Sequence, residues 1–118
     1  MVYLATKDID FDSIIDYETN VRIPKSDGFK VAPKYSTLLC IEGGSAGRKI
    51  GFIMQDVCFV NKLCAFVSRG EINPKYLHYV IQSDVFKKQF DAKKHGLIGG
   101  VSVKEVSSIF IPFAPVEI

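Results

Sequence analysis

The chain has 118 residues, of which 47% are hydrophobic, and it contains nine phenylalanines and five tyrosines. This composition excludes a disordered chain and predicts one folded domain covering residues 1–118. The formal net charge is only +2, so total charge alone does not establish a nucleic-acid partner. Acidic residues crowd the first eighteen positions and leave the remainder distinctly basic. These acidic residues are Asp8, Asp10, Asp12, Asp16 and Glu18.

The cysteines exclude several other classes. Cys40, Cys58 and Cys64 are odd in number, show no C-x-x-C spacing and each lie in an apolar run. This pattern predicts buried reduced thiols and a cytoplasmic protein without a zinc site. No segment has the apolar length of a membrane span and the first residues lack the form of a signal peptide, so no membrane partner is expected. No cofactor is expected either.

The N-terminal third predicts little regular structure. Residues 2–5 predict a short strand and residues 6–9 a helical turn or tight loop, whereas the pattern of residues 10–20 predicts no element. Residues 22–30 have the composition of a loop, because proline, serine, aspartate and glycine all punctuate them. This loop also carries three cations, Arg22, Lys25 and Lys30.

Residues 34–68 are rich in β-branched and aromatic residues, with breaks at residues 43–47, 55–56 and 61–62. This pattern predicts three or four strands of an antiparallel or mixed sheet. Together with helices in the C-terminal half, it predicts an α+β domain with a small, mixed, largely antiparallel sheet.

A glycine-rich loop interrupts these strands. Gly43, Gly44 and Gly47 are followed directly by Arg48 and Lys49. Because glycine lets the backbone approach closely and successive N–H groups can bind anions, such a loop suits a phosphate-rich partner. The spacing does not fit a nucleotide P-loop, and strand rather than helix follows, which excludes the dinucleotide fingerprint. A hairpin turn with solvated cations is the alternative interpretation.

The second half predicts helices. Asn73 before Pro74 is a helix start, and Ser83 is predicted to cap a second helix. Phe86 lies nine positions after Leu77 and, at ~100° per residue, would point away from the first helix's apolar face, so two short helices are expected. The apolar face of the first helix consists of Leu77, Val80 and Ile81. The polar side of the second consists of Lys87, Lys88, Lys93 and Lys94.

A second glycine loop spans residues 93–100 and contains Lys93, Lys94 and His95. Ser102 and Glu105 have the spacing of a capping box, which predicts one more helical turn. Residues 108–113 predict a final strand that ends at proline.

Catalysis finds little support in the sequence. Residues 73–76 resemble the Asn-Pro-Pro-Tyr motif of amino-methyltransferases, but Lys75 replaces the second proline and the helix-start interpretation is favoured. His78 and His95 could each act as a general base, although a packed or solvated histidine is the favoured interpretation of both. We therefore expect no enzymatic activity.

The order of these motifs resembles the target recognition domain of the specificity subunit of type I restriction-modification systems. The resemblance covers nearly the whole chain. The motifs that carry the resemblance are, in chain order, residues 3–9, Leu38-Leu39 with the loop to Gly47, Asn61 before a strand, residues 73–79, Ser83, Phe86, the second glycine loop, Ser102 and residues 109–112.

The resemblance implies a non-catalytic domain that recognises one half of a split double-stranded DNA target. Methyltransferase and restriction subunits would then carry out the chemistry. The family's conserved spacer helix is not found after residue 112, so the chain is expected to represent one half of a specificity subunit or a naturally shortened version of one. Two alternatives stay open: an interaction or decoy fragment that binds a methyltransferase without reading DNA, and the recognition domain of a fused restriction-methyltransferase.

The candidate DNA-binding residues lie in the three loops. Serine and lysine are normal contacts to phosphate, whereas arginine at a loop tip can bind guanine O6 and N7 together. The candidates are Arg22, Lys25, Lys30, Ser45, Arg48, Lys49, Lys93, Lys94 and His95.

Overall fold

The structure is a computed structural model that describes residues 2–18, 30–68, 70, 72–94 and 100–109. Its strands are β1 (Tyr3–Leu4), β2 (Val31–Ala32), β3 (Thr37–Cys40), β4 (Ile50–Phe52), β5 (Val57–Phe59) and β6 (Leu63–Phe66). Its helices are a 3-10 turn (Thr6–Asp8), α1 (Pro74–Ile81), α2 (Asp84–Lys93) and α3 (Val103–Val106).

The strands form two three-stranded sheets, with the orders β1-β5-β2 and β4-β3-β6. Among the described strands, only the β1–β5 pair is parallel; the other pairs are antiparallel. The predicted α+β class with a mixed, largely antiparallel arrangement is therefore confirmed, as are four strands between residues 34 and 68. β3 and β4 form a hairpin, so the first glycine loop is a hairpin connection, as the alternative interpretation predicted.

The strand β3 is buried along its whole length. It contributes side chains to two hydrophobic clusters, one on each face of its sheet. Successive side chains of a strand point to opposite faces. Leu38 accordingly packs in a cluster between the two sheets with Leu4 and Val57. Leu39 packs in a second cluster with Phe86 and other residues of α1 and α2. The sheet that contains β3 thus lies between the other sheet and the helices.

The predicted helix starts are confirmed. The Asn73 side chain accepts a hydrogen bond from the Lys75 N–H at 2.9 Å, and the Ser83 hydroxyl accepts one from the Phe86 N–H at 3.4 Å. Ser102 forms the expected capping box with Glu105. The break at residues 82–83 lets the apolar faces of both helices reach the same cluster.

The acidic N-terminal segment, for which no element was predicted, packs across β4. Ile15 approaches Gly51 so closely that a Cβ added to this glycine would lie 2.8 Å from Ile15 Cδ1. The Tyr17 hydroxyl accepts a hydrogen bond from the Met54 N–H at 2.9 Å. These contacts hold residues 10–17 beside the β3–β4 hairpin.

Some of the remaining predictions concern described residues and others do not. All three cysteines are buried and free, as expected, and burial raises the pKa of the Cys64 thiol. Ser108 lies in the turn that follows α3, with its N–H donating to Glu105 O at 3.2 Å, so the predicted final strand does not begin there. Residues 110–113 and most of the loops at 22–30 and 93–100 lie outside the described residues. No helix in the described part of the chain is long and apolar enough to cross a membrane.

Gly47 is a point of close packing in the β3–β4 connection. Its φ is +78°, and a Cβ at this position would lie 2.8 Å from Phe90 Cε1 in α2. A side chain would therefore meet both left-handed backbone strain and a buried ring.

Replacement Gly47→Ala is expected to lower the free energy of unfolding by about 2 kcal/mol or more, because strain and overpacking add. Gly44→Ala is the matched control, since a Cβ there meets nothing within 4 Å. Urea unfolding of both variants provides the measurement, and equal midpoints for the two would contradict the packing described here.

Candidate nucleic-acid interface

A cleft of about 570 Å³ lies where the N-terminal segment, the β3–β4 loop, α1 and α2 meet. Its floor is apolar and is formed by Leu39, Ile50 and Ile81. Its rim carries Phe11 from the N-terminal segment and Gln82 from the end of α1, together with charged residues.

Three cations and one carboxylate supply the charge of the cleft. The cations are Arg48, Lys87 and Lys94, and the carboxylate is Asp91. Lys94 Nζ lies 3.0 Å from Asp91 Oδ1, in a pair whose side chains are 31% and 65% exposed. Exposed pairs of this kind contribute little to stability, so Lys94 can exchange this partner for another anion at small cost. Positive charge therefore predominates among the lining residues.

Phe11 positions the two cations that follow Gly47. The Arg48 guanidinium and Lys49 Nζ each lie 5.1 Å from the centroid of its ring. Lys49 Nζ also donates to the Thr6 carbonyl at 3.3 Å. Arg48 is exposed and lines the cleft, whereas Lys49 is half-buried and directed toward the 3-10 turn. The two adjacent cations therefore differ in their access to a ligand.

Four backbone N–H groups of the first loop, which was predicted to bind anions through its backbone, are engaged within the hairpin. The N–H groups of residues 46–49 all donate within the hairpin, to Gly43 O, Cys40 O and, twice, Ser45 O, at 2.8 to 3.3 Å. Ala46 is also buried. Since the turn uses these four donors itself, they are not available to an anion, which the side chains of the loop could still bind.

The two glycine loops lie side by side at their ends. Glu42, before the first loop, forms a β-bridge with Gly100, at the end of the second. The Val101 N–H donates to Ile41 O at 2.8 Å. Because Lys94 at the start of the second loop also lines the cleft, residues bordering both loops contribute to one surface.

The other predicted site residues occupy different positions. Lys30 is exposed beside β2 in the other sheet and does not line the cleft. Ser45 and Lys93 are half-buried and do not line it either. Arg22, Lys25 and His95 lie outside the described residues. Of the predicted residues, the structure thus brings Arg48 and Lys94 together.

Sequence reasoning missed Lys87, Gln82 and Phe11 as members of the cleft. Lys87, Asp91 and Lys94 recur at spacings of four and three, which places them on one side of α2. That spacing could have found Lys87. No pattern in the acidic N-terminal segment indicated that Phe11 contacts Arg48.

Carboxylates also lie near the cleft. Asp10 and Asp12 flank Phe11 and are exposed. One oxygen of Asp10 accepts hydrogen bonds from the N–H groups of Asp12 and Ile14, at 2.8 and 2.9 Å. Negative charge therefore adjoins the cleft on the side of the N-terminal segment, whereas its cations belong to the hairpin and to α2 and the residue that follows it.

His78 is a packed histidine, as the favoured interpretation predicted. Its Nδ1 lies 3.0 Å from the Thr37 hydroxyl, and its ring packs against that of Phe52 with centroids 5.4 Å apart. Burial lowers the pKa of His78 below its ordinary value. The position of His78 is therefore accounted for by packing and by its contact with Thr37.

The sequence matches no model of a protein family and no curated protein. The resemblance to a target recognition domain therefore stays a prediction from the order of motifs.

Replacement His78→Gln is expected to make stability less sensitive to acid. Because the pKa is lowered in the folded state, the unfolded chain binds the proton more tightly, and stability falls as pH decreases from about 6.5 through the lowered pKa. The glutamine variant lacks this loss. Urea midpoints near pH 7.5 and near pH 5.5 provide the measurement. The same decrease in both proteins would contradict it.

Proposed function

We propose that this domain binds double-stranded DNA sequence-specifically and recognises one half of a bipartite target for a type I restriction-modification complex, without catalytic activity of its own. The observation that carries the proposal is the convergence of Arg48, Lys87 and Lys94 on one cleft. Two of these cations, Arg48 and Lys94, were predicted from the sequence to contact DNA, each from a different glycine loop. Their meeting on one surface supports a single polyanionic ligand.

The roles follow from side-chain chemistry. Lysines act as point charges toward phosphate oxygens, which position a protein on the duplex but carry no sequence information. Arginine presents a planar fork that matches the O6 and N7 acceptors of guanine in the major groove. The Arg48 guanidinium is exposed and oriented by the Phe11 ring. We therefore assign base reading to Arg48 and phosphate binding to Lys87 and Lys94.

The weak net charge is compatible with this assignment. Counterion release depends on the phosphates that are neutralised at the contact rather than on the formal charge of the whole chain. The acids near Phe11 would repel the duplex from the other side of the cleft and so restrict its orientation. In the proposed complex, methyltransferase and restriction subunits supply the chemistry.

The function is tested by selection from a random duplex pool, with the domain alone and joined to a spacer helix. Enrichment of a short shared motif is expected. Absence of any motif with either protein would contradict sequence reading.

For Arg48→Ala, the expected result is a loss of ~1–3 kcal/mol of binding free energy on the selected duplex and relaxed preference at one position. The reason is that a bidentate base contact discriminates between bases, whereas a phosphate contact does not. Fluorescence anisotropy with selected and scrambled duplexes provides the measurement. Equal weakening on both duplexes would refute the base-reading role of Arg48.

For Lys87→Ala, binding to selected and scrambled duplexes should weaken alike, and the slope of log K against log salt should decrease in magnitude by ~0.9. Lys104→Ala is the charge-matched control, since Lys104 is exposed on α3 and does not line the cleft. A salt slope that decreases equally in both variants would show that only total charge matters.

A second candidate function is protein interaction without DNA reading. It is favoured by exposed apolar surface on the acidic N-terminal segment, where Phe11 is 58% and Ile14 64% exposed. The contact of Phe11 with Arg48 and Lys49 accounts for one of these residues but not for Ile14. Failure of the domain to bind any duplex at low salt, combined with loss of methyltransferase binding in Ile14→Ser, would favour this candidate.

A further inference from the structure

Four aromatic rings lie next to one another between the turn before β3 and α1. They belong to Tyr35, Phe52, His78 and Tyr79, which we call the aromatic row. Successive ring centroids are 6.1, 5.4 and 5.9 Å apart. The two end residues are the exposed ones, with Tyr79 67% and Tyr35 44% accessible. Phe52 and His78 between them are half-buried and support the ends.

Tyr35 has an unfavourable backbone conformation. Its φ is +72°, in the left-handed region where a bulky side chain is a rare outlier. The conformation is held by the hydrogen bond from the Tyr35 N–H to Ile53 O at 2.7 Å. Strain of this kind persists where the surroundings impose it and is concentrated at functional positions. It places an exposed ring beside Phe52, although glycine would satisfy the backbone better.

Cations lie at both ends of the aromatic row. Lys34 Nζ is 5.3 Å from the centroid of Tyr35. Lys75 is exposed and precedes Tyr79 by four residues in α1, which places it on the same side of the helix. The carboxylate of Asp56 accepts a hydrogen bond from the backbone N–H of Lys34 at 2.8 Å. Exposed rings with a cation at each end suit a polyanion that also presents flat apolar groups.

The row adjoins the cationic cleft. Gln82, at the rim of the cleft, follows His78 by four residues, and its Nε2 donates to His78 O at 3.2 Å. Ile50 on the cleft floor precedes Phe52 by two residues on β4, so both point to the same face of the strand. One nucleic-acid strand could therefore contact both surfaces.

We propose that the aromatic row binds unpaired nucleotides, with bases stacked on Tyr35 and Tyr79 and phosphates beside Lys34 and Lys75. The two stacking rings stand at opposite ends of the row, with Phe52 and His78 between them. Bases bound to Tyr35 and Tyr79 would therefore lie apart from one another, as in an extended single strand and unlike the contiguous stack of a duplex. Aromatic side chains with flanking cations are the usual means of binding single strands. This binding goes beyond duplex reading and does not require it.

The test measures fluorescence anisotropy of labelled oligothymidylate and oligouridylate at low salt, with an intact duplex in parallel. Tyr79→Ala is expected to weaken binding of the single strands about five- to 150-fold, since one stacked base is lost. Tyr79→Phe keeps the ring and should bind like wild type. Val85→Ala is the control, because Val85 is 51% exposed on α2 and lies outside the row.

Tyr35→Gly separates binding from packing. Glycine relieves the strain of a positive φ, which offsets the lost contact with Phe52, so the thermal midpoint should not fall while affinity for the single strands does. A fall of both together, or wild-type affinity in Tyr79→Ala, would overturn the proposal, as would failure of the wild-type domain to bind either oligonucleotide.

The parallel duplex arm separates the two proposals. Binding of the single strands without any duplex binding would contradict the proposed function alone. Tighter binding of oligothymidylate would assign the strand as DNA and tighter binding of oligouridylate as RNA, and both results support stacking.

Discussion

The contact between Gly47 and Phe90 is the constraint on which the candidate site depends. It brings the β3–β4 hairpin against α2 at a distance that no side chain at position 47 would allow. Arg48 follows Gly47 directly in sequence, and Phe90 lies in α2 between Lys87 and Lys94, the residue that directly follows the helix. The same ring therefore belongs to the second core cluster and lies between the elements that carry the cations of the cleft.

Two kinds of surface share the side of the domain that α1 and β4 form. The cleft presents charge around a small apolar floor, and the aromatic row presents exposed rings with cations at its ends. Since Gln82 and His78 are neighbours on α1, the two surfaces are continuous. A nucleic acid with both paired and unpaired nucleotides would match this combination of charge and stacking better than either surface alone.

Local chemistry explains which parts the sequence could predict. Asn73 and Ser83 each cap a helix within one turn, so both helix starts could be predicted from the sequence. The strand β3 could be predicted as well, because its apolar run is continuous. The hydrogen bonds that engage the N–H groups of residues 46–49 were not predicted, because they depend on the conformation of the turn rather than on its glycines. The contact of Phe11 with Arg48 joins segments distant in sequence, and no local pattern encodes it. The pairing of β1 with β5 is equally non-local.

The central claim is that the cleft between the β3–β4 hairpin and α2 is where DNA binds. Titration of a duplex into the isotope-labelled domain at low salt, followed by NMR chemical shifts, tests it most directly. The account predicts that the largest shifts occur at Gly47, Arg48, Gln82, Lys87 and Lys94, and that they diminish as salt is added. Shifts confined to β2 and β5 on the other sheet, or no shifts at all, would contradict it.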